Sequence, residues 1–238
     1  MDAKIYKGKI SFVNYEKHFA TIEYYHGTKL KSVNCKTDAP DSGKKPHQFR
    51  LGDAVDFQLK LSDRGDKMTA YNIRFTHNVS IDLLLQKAVI ENRFSGYLKI
   101  VDDKYFVKEI DSYILFPLQL SPWETPPAES AANEAISFKL INMEKPTALM
   151  AELFSHNYTA AYRKALQHFN NKIDAEAVVY KVSPHGVYIK LFDGEVQAKL
   201  LPAEDNNDSL EEGNTVNVTI THLTPLRIVV KRFTGEKN

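Results

Sequence analysis

The sequence predicts a mostly β protein in which three consecutive five-stranded barrels are joined by short helices. Two observations favour this fold class. Short runs of alternating apolar and polar residues recur at regular intervals, and Gly, Pro, Asn or Asp bound most of them. Two longer stretches, Ser80–Ile90 and Asn157–Phe169, instead show helical spacing of apolar residues, and they divide the strands into three groups of five. Five short strands at regular spacing are typical of a small barrel.

The length and composition are consistent with several small globular domains. The chain has 238 residues, of which 43% are apolar and 26% are charged, values that are ordinary for a folded protein. The predicted organisation is a first barrel over 1–76, a linker helix over 77–93, a diverged second barrel over 94–153, a second linker helix over 154–171 and a third barrel over 172–238.

The charge is unevenly distributed, although the net value is only +1. Residues 1–76 hold 14 Lys and Arg against 9 Asp and Glu. Residues 77–150 hold 7 against 10, and residues 151–238 hold 10 against 11. The first third is therefore where a phosphate backbone would bind first, but an ordinary solvated basic face would give the same counts.

The single cysteine, Cys35, excludes an internal disulfide and any zinc cluster that needs several cysteines. The sequence has no secretory signal and no apolar run near twenty residues, so we expect a cytoplasmic protein without a membrane contact. It also lacks a phosphate-binding Gly-rich loop and metal-ligand spacing among its histidines. We therefore expect no cofactor, no metal and no enzymatic activity.

The first hairpin, Gly8–Glu23, combines aromatic and basic residues on two predicted strands. Single-stranded nucleic acids are bound by such surfaces, because lysines contact phosphates and rings stack on bases. The predicted binding residues of the first barrel are Lys9, Phe12, Lys17, His18 and Phe19.

This hairpin also resembles the start of a cold-shock domain. The positions that match that family are Gly8, Asn14, Glu16, Lys17, Phe19, Ile22 and Glu23. Four positions depart from the family pattern: Phe12 stands in place of a Trp, His18 and Ala20 in place of glycines, and Thr21 in place of a second Phe, which reduces the aromatic platform. Residues 94–153 are similar in strand order, beginning at Gly96–Ile100. For four aromatic residues of this second barrel we expect core packing rather than base stacking: Tyr105, Phe106, Tyr113 and Phe116. For Trp123 two roles are open, stacking on a base and covering a barrel.

Residues 172–233 resemble the S-one type RNA-binding domain. The matching positions are Gly186, Val187, Tyr188, Asp193, Gly194, Gly213, Val216 and Val218. His185 replaces the aromatic residue that this family carries before the glycine. The predicted binding residues of the third barrel are His185, Tyr188, Lys190 and Arg227. Both families belong to the OB class of five-stranded barrels, which often bind oligonucleotides on one sheet face.

The order of the three predicted barrels is similar to that of the domains flanking the catalytic domain in RNase R exoribonucleases. Here only a helical stretch, 154–172, occupies the place of that domain, and it contains no Asp or Glu. A two-metal nuclease needs several converging carboxylates. The resemblance therefore implies the binding domains without the catalytic one.

The predicted function is binding of single-stranded RNA with little sequence specificity, along basic and aromatic sheet faces of tandem barrels. Single-stranded DNA is not distinguished from RNA, because no residue is assignable to a 2′-hydroxyl. The alternative is an interaction adaptor whose barrels dock a protein partner such as a nuclease or the ribosome.

Overall fold

The computed structural model describes residues 4–37, 48–62, 65–201 and 210–232. These residues form fifteen β-strands and two α-helices. The architecture is mostly β, as predicted, with two closed five-stranded barrels and a five-stranded sheet between them in sequence. Contacts divide the chain into two compact units, Met1–Gln119 with Ala128–Phe154 and Leu120–Pro127 with Ser155–Asn238.

The first barrel closes in the order β1-β2-β3-β5-β4. Its neighbouring strands are antiparallel except β3 and β5, which pair in parallel through Asn34 and Thr69. The strands are β1 Tyr6–Asn14, β2 Phe19–His26, β3 Lys29–Lys36, β4 Ala54–Leu61 and β5 Met68–His77.

The barrel core forms because apolar residues alternate with polar ones along the strands. Ile10, Ile22 and Phe57 point inward and are almost completely buried. Gly8 lets β1 and β2 approach closely, since a Cβ there would lie 2.5 Å from Cγ2 of Ile22 and 2.7 Å from the carbonyl oxygen of Glu23. Gly8, which matches the cold-shock pattern, is therefore favoured at this position for a steric reason.

Helix α1, Val79–Ile90, follows the first barrel at the predicted place. Its N-cap is Asn78, whose Oδ1 accepts hydrogen bonds from the backbone N–H groups of Ser80 and Ile81. The Asn78 side chain also donates to Oδ1 of Asp53 at 2.7 Å. This buried amide therefore ties the start of the helix to the loop before β4.

The middle sheet has the order β10-β9-β6-β7-β8. This is the strand order of the first barrel, but the closing parallel pair is reduced to a single bridge between Leu118 and Ala151. The sheet is therefore a curled version of the predicted barrel. Its strands are β6 Phe94–Val101, β7 Lys104–Glu109, β8 Leu115–Pro117, β9 Ala135–Ile141 and β10 Met150–Leu153.

Helix α2, Ala160–Asn171, and the third barrel belong to the second unit. Thr159 caps the helix, and Ala161, Tyr162 and Ala165 bury its apolar stripe in the barrel core. The barrel closes in the order β11-β12-β13-β15-β14, again with one parallel pair, β13 with β15. Its strands are β11 Ala175–Ser183, β12 Gly186–Leu191, β13 Val196–Leu200, β14 Thr215–Thr224 and β15 Arg227–Arg232.

Candidate nucleic-acid interface

Two aromatic rings lie side by side on the outside of the first barrel. The ring centroids of Phe12 on β1 and Phe19 on β2 are 5.9 Å apart, and the ring planes are tilted by 45°. Phe12 is 49% exposed, and Phe19 is half-buried. The pair is a surface on which unstacked bases can pack.

A β-bulge turns Phe12 outward. Ile10 points into the core, and residues two apart in a regular strand face the same side. The register between β1 and β2 shifts between Ile10 and Phe12, so the extra residue, Ser11, reverses the direction of Phe12. Phe12 consequently lies on the same face as Phe19 instead of filling the core beside Ile10.

The lysines of this face occupy different positions around the ring pair. Lys17 is exposed in the turn between the two strands, where its backbone N–H donates to Oδ1 of Asn14 at 2.7 Å. Lys9 is exposed on β1 and lies opposite Glu23. Lys36 is exposed on β3 directly opposite Phe19. Lys36 was not among the predicted binding residues, although outward alternation along β3 indicates it.

His18 points toward the middle sheet. Its Nε2 lies 3.7 Å from a carboxylate oxygen of Asp102 in the turn after β6. The backbone of His18 is left-handed, with φ at +51°. This conformation explains why the cold-shock pattern has glycine at this position, while histidine is among the residues that tolerate it. His18 therefore adjoins Phe19 of the ring pair in the chain, while its side chain contacts Asp102 in the turn after β6.

The third barrel carries a second aromatic pair, Tyr180 on β11 and Tyr188 on β12. Their ring centroids are 6.4 Å apart. Nζ of Lys190 lies 5.3 Å from the centroid of the Tyr180 ring, and the Tyr180 hydroxyl donates to Oε1 of Gln197 at 3.1 Å. The structure therefore brings the predicted Tyr188 and Lys190 together through Tyr180. Tyr180 was missed, although alternation from the apolar Val179 would have placed it outward.

The remaining predicted residues of the third barrel, His185 and Arg227, are on the barrel surface. His185 is exposed in the turn before β12, and Arg227 is exposed at the start of β15. Lys199 lies opposite Tyr188 in the β12–β13 register, and its Cε is 2.8 Å from where a Cβ of Gly186 would be. Lys199 thus lies across Gly186, next to Tyr188. We therefore add it to the candidate binding residues of the third barrel.

The aromatic residues of the middle sheet divide between core and surface. Phe116 is fully buried, as expected. Tyr113 is 59% exposed, and Nζ of Lys108 lies 5.0 Å from its ring centroid, so the expectation of core packing is wrong for Tyr113. The ring of Phe106 lies 6.1 Å from that of Tyr15 in the first barrel.

Trp123 is a core residue of the second unit. It is 7% exposed, and its ring stacks on Tyr162 of α2 at a centroid distance of 5.4 Å. Burial raises the pKa of the Tyr162 hydroxyl to about 12, with nearby Tyr158 as a smaller cause. Of the two open possibilities, Trp123 therefore covers a barrel, and that barrel is the third one.

Cys35 is buried on β3 within the first core. Burial raises the pKa of its thiol to about 11. The thiolate is the reactive form of cysteine, so this side chain is protonated and shielded at neutral pH. Its position is that of a core residue.

A scan against protein-family models finds no match, and a search of curated proteins finds none either. Among solved structures, Drosophila Unr CSD456 is 16% identical, with 92% of this chain and 91% of that chain covered at a TM-score of 0.27. A multidomain protein with nucleic acid binding domains from Streptococcus pneumoniae TIGR4 is 13% identical, with coverage of 99% and 74% and a TM-score of 0.24. The apo form of Mycoplasma genitalium RNase R is 11% identical over 58% of this chain and 21% of that chain, at a TM-score of 0.19.

Neither α1 nor α2, the two α-helices in the described part of the chain, is long and apolar enough to cross a membrane.

Proposed function

We propose that the chain binds single-stranded RNA with little sequence specificity, through the outer faces of its first and third barrels. One recurring arrangement carries the proposal. The first two strands of each closed barrel hold two neighbouring aromatic rings outside the core, 5.9 Å apart for Phe12 and Phe19 and 6.4 Å apart for Tyr180 and Tyr188. Lysines flank both pairs: Lys17 and Lys36 on the first, Lys190 and Lys199 on the third.

The two kinds of side chain supply two kinds of binding energy. Each base that stacks on a ring contributes about 1–3 kcal/mol irrespective of its identity. Lysine contacts to phosphates release counterions, so their contribution falls as the salt concentration rises. Stacking and phosphate contacts do not read base edges, which is why we propose low sequence specificity.

The two faces belong to one chain, so they strengthen each other on a long strand. Once one barrel has bound, the other meets the same strand at a high effective concentration. The full chain is therefore expected to bind longer RNA more tightly than short RNA, which only one barrel can hold. We also propose that this activity is cytoplasmic, needs no cofactor and involves no catalysis.

The adaptor function remains the second candidate, and an exposed apolar strip on helix α1 favours it. Val89 is 84% exposed and Ile90 is 90% exposed, although Val89 has the helical spacing of a packed residue. Val79 and Leu83, at 61% and 54%, extend the strip along the helix. Val79, Leu83 and Ile90 share one side of the helix, with the exposed Gln86 between Leu83 and Ile90. Exposed apolar side chains grouped in this way often mark a protein-binding site.

Fluorescence anisotropy with the full chain separates the two candidates. The titration uses a labelled single-stranded RNA of about twenty nucleotides and a duplex of the same length, at low and moderate salt. Preferential, salt-sensitive binding of the single strand is the expected result. Absence of binding at low salt would remove the RNA function and leave the adaptor function. Equal affinity for strand and duplex would contradict stacking as the basis of binding.

A further inference from the structure

A cavity of about 480 Å³ lies within the first unit and is lined by residues of the first barrel and of the middle sheet. Its walls come from both parts of that unit: Val13 and Tyr15 from the first barrel, Val101 and Phe106 from the middle sheet. The volume is within the range of small-molecule sites in proteins.

The strand register gives this cavity a specific position in the fold. In the third barrel, Val179 on β11 lies opposite Ile189 on β12, and both are buried. Tyr188 is the residue before Ile189. In the middle sheet the equivalent buried pair is Leu98 and Val107, and the residue before Val107 is Phe106. Phe106 therefore occupies the position that Tyr188 has in the third barrel, on the face proposed to stack bases.

The two positions differ in their surroundings. The Phe106 ring lies beside Tyr15, which the first barrel holds in place because the Tyr15 hydroxyl donates to the carbonyl oxygen of Phe49 at 3.0 Å. Phe49 also lines the cavity. The Phe106 ring is half-buried in the cavity wall, whereas Phe12 lies on an open face, so a single base turned out of the strand can reach Phe106.

The polar groups of the cavity are suited to a nucleobase that enters the cavity while its phosphate stays at the edge. Gln48 lines the wall, and its buried Nε2 has no hydrogen-bond partner within the part of the chain that the structure describes. The amide can therefore turn toward a ligand without losing a bond of that nitrogen. At the edge, Lys104 is exposed and can meet a phosphate, as can His18 next to its partner Asp102.

We propose that this cavity binds one unstacked nucleobase of the strand held on the first barrel. The inference rests on the proposed function and deepens it. Val13, Tyr15 and His18 of the cavity belong to the same hairpin as Phe12 and Phe19. His18 adjoins Phe19 in the chain and lines the cavity, so a strand that crosses the ring pair can pass the cavity edge at the turn of this hairpin and place one base in it.

The test uses the full chain and two probes, adenosine 5′-monophosphate and the base-free ribose 5-phosphate, in saturation-transfer difference NMR. Transfer to the H2 and H8 protons of the base is expected, with none to ribose 5-phosphate. Val101→Trp fills the cavity and Phe106→Leu removes its stacking ring. Each should weaken nucleotide binding about tenfold, the scale of one lost stack. Val89→Trp, the same change on the exposed face of α1, is the matched control and should bind as wild type.

A single-stranded RNA of about twelve nucleotides should displace the nucleotide, because one of its bases takes the cavity. Melting curves check that both cavity variants are folded, and each variant tests the site independently of the other. Nucleotide binding that survives both variants, or that is unaffected by bound RNA, overturns the inference. RNA binding without any nucleotide binding also overturns it while leaving the proposed function intact. Loss of the proposed function shows separately, as an absence of RNA binding by the wild-type chain.

Discussion

The guanidinium of Arg50 donates a hydrogen bond to the carbonyl oxygen of Leu149 at 3.1 Å, which joins the first barrel to the middle sheet inside the first unit. Arg50 is 1% exposed and also donates to the carbonyl oxygen of Pro146 at 2.7 Å. Burial lowers the pKa of Arg50, while Asp53 opposes that shift. This deeply buried side chain persists because both of its terminal NH2 groups have fixed carbonyl acceptors, although its buried Nε has no hydrogen-bond partner within the described residues.

Replacing Arg50 should therefore destabilise the first unit strongly. Arg50→Ala leaves the carbonyl groups of Pro146 and Leu149 without their donors, and we expect a loss of about 3 kcal/mol in the free energy of unfolding. Arg74→Ala is the matched control, because Arg74 is an exposed arginine paired with Asp56, and its loss should be below about 1 kcal/mol. Equal effects in urea unfolding would show that the buried arginine does not hold the unit together.

The strands of the closed barrels were predictable because alternation and turn residues are local signals. The contacts of Arg50 were not, because its partners are Pro146 and Leu149, about one hundred residues away. Trp123 was ambiguous for the same reason, since its partner Tyr162 belongs to a helix that follows later in the chain.

The candidate site was predictable where a motif spans one hairpin, as for Phe12 and Phe19. Tyr180 and Lys199 join Tyr188 only through pairing with neighbouring strands. The outward direction of Phe12 depends on a bulge, which shifts the register by one residue. Neither register nor bulges follow from composition or alternation, so this part of the site required the structure.

A Cβ at position 8 should destabilise the first barrel. Gly8→Ala would place the Cβ 2.7 Å from the backbone oxygen of Glu23 and 2.5 Å from Ile22. Neither neighbour is the end of a flexible side chain, so we expect a cost of about 1–3 kcal/mol. Ser32→Ala on the exposed side of β3 should change stability by less than about 0.5 kcal/mol. Thermal unfolding of both variants measures this difference, and similar melting temperatures would contradict the close approach at Gly8.

The buried thiol of Cys35 should make stability depend on alkaline pH. Its pKa rises from 9.0 to about 11 on folding because burial disfavours the thiolate. The protonated thiol thus contributes fully below pH 9, and the contribution is lost as the pH rises through about 11. The stability difference between wild type and Cys35→Ala should fall by about 2 kcal/mol between about pH 8 and about pH 10.5. A constant difference would mean that Cys35 titrates normally.

The tyrosine pair of the third barrel should contribute to RNA affinity. Tyr180→Ala and Tyr188→Ala each remove one stacking ring, and each should weaken binding by about 1–3 kcal/mol. Leu166→Ala, which removes a partly exposed apolar side chain from α2, is the control and should have no effect on affinity. Unchanged affinity in both tyrosine variants would restrict the binding face to the first barrel.

Lys17 should act through charge, and salt dependence measures this. Lys17→Ala removes one phosphate contact, so the slope of log affinity against log salt should become shallower by about 0.7. Lys87→Ala is a suitable control, because Lys87 lies on α1, where its Nζ is 4.0 Å from a carboxylate oxygen of Asp111, and it does not belong to the hairpin that carries the ring pair. If the two variants have the same slope as the wild type, Lys17 does not contact phosphate.

We propose above all that RNA stacks on the exposed rings of the first barrel. The most direct measurement is the affinity of the full-length Phe12→Ala/Phe19→Ala variant for a labelled single-stranded RNA of about twenty nucleotides. Leu83→Ala/Ile90→Ala, which removes two exposed apolar side chains from α1, serves as the control. We expect a loss of about 2–6 kcal/mol in binding free energy for the two missing stacks, with no loss in the control. Wild-type affinity in the phenylalanine variant would contradict this proposal.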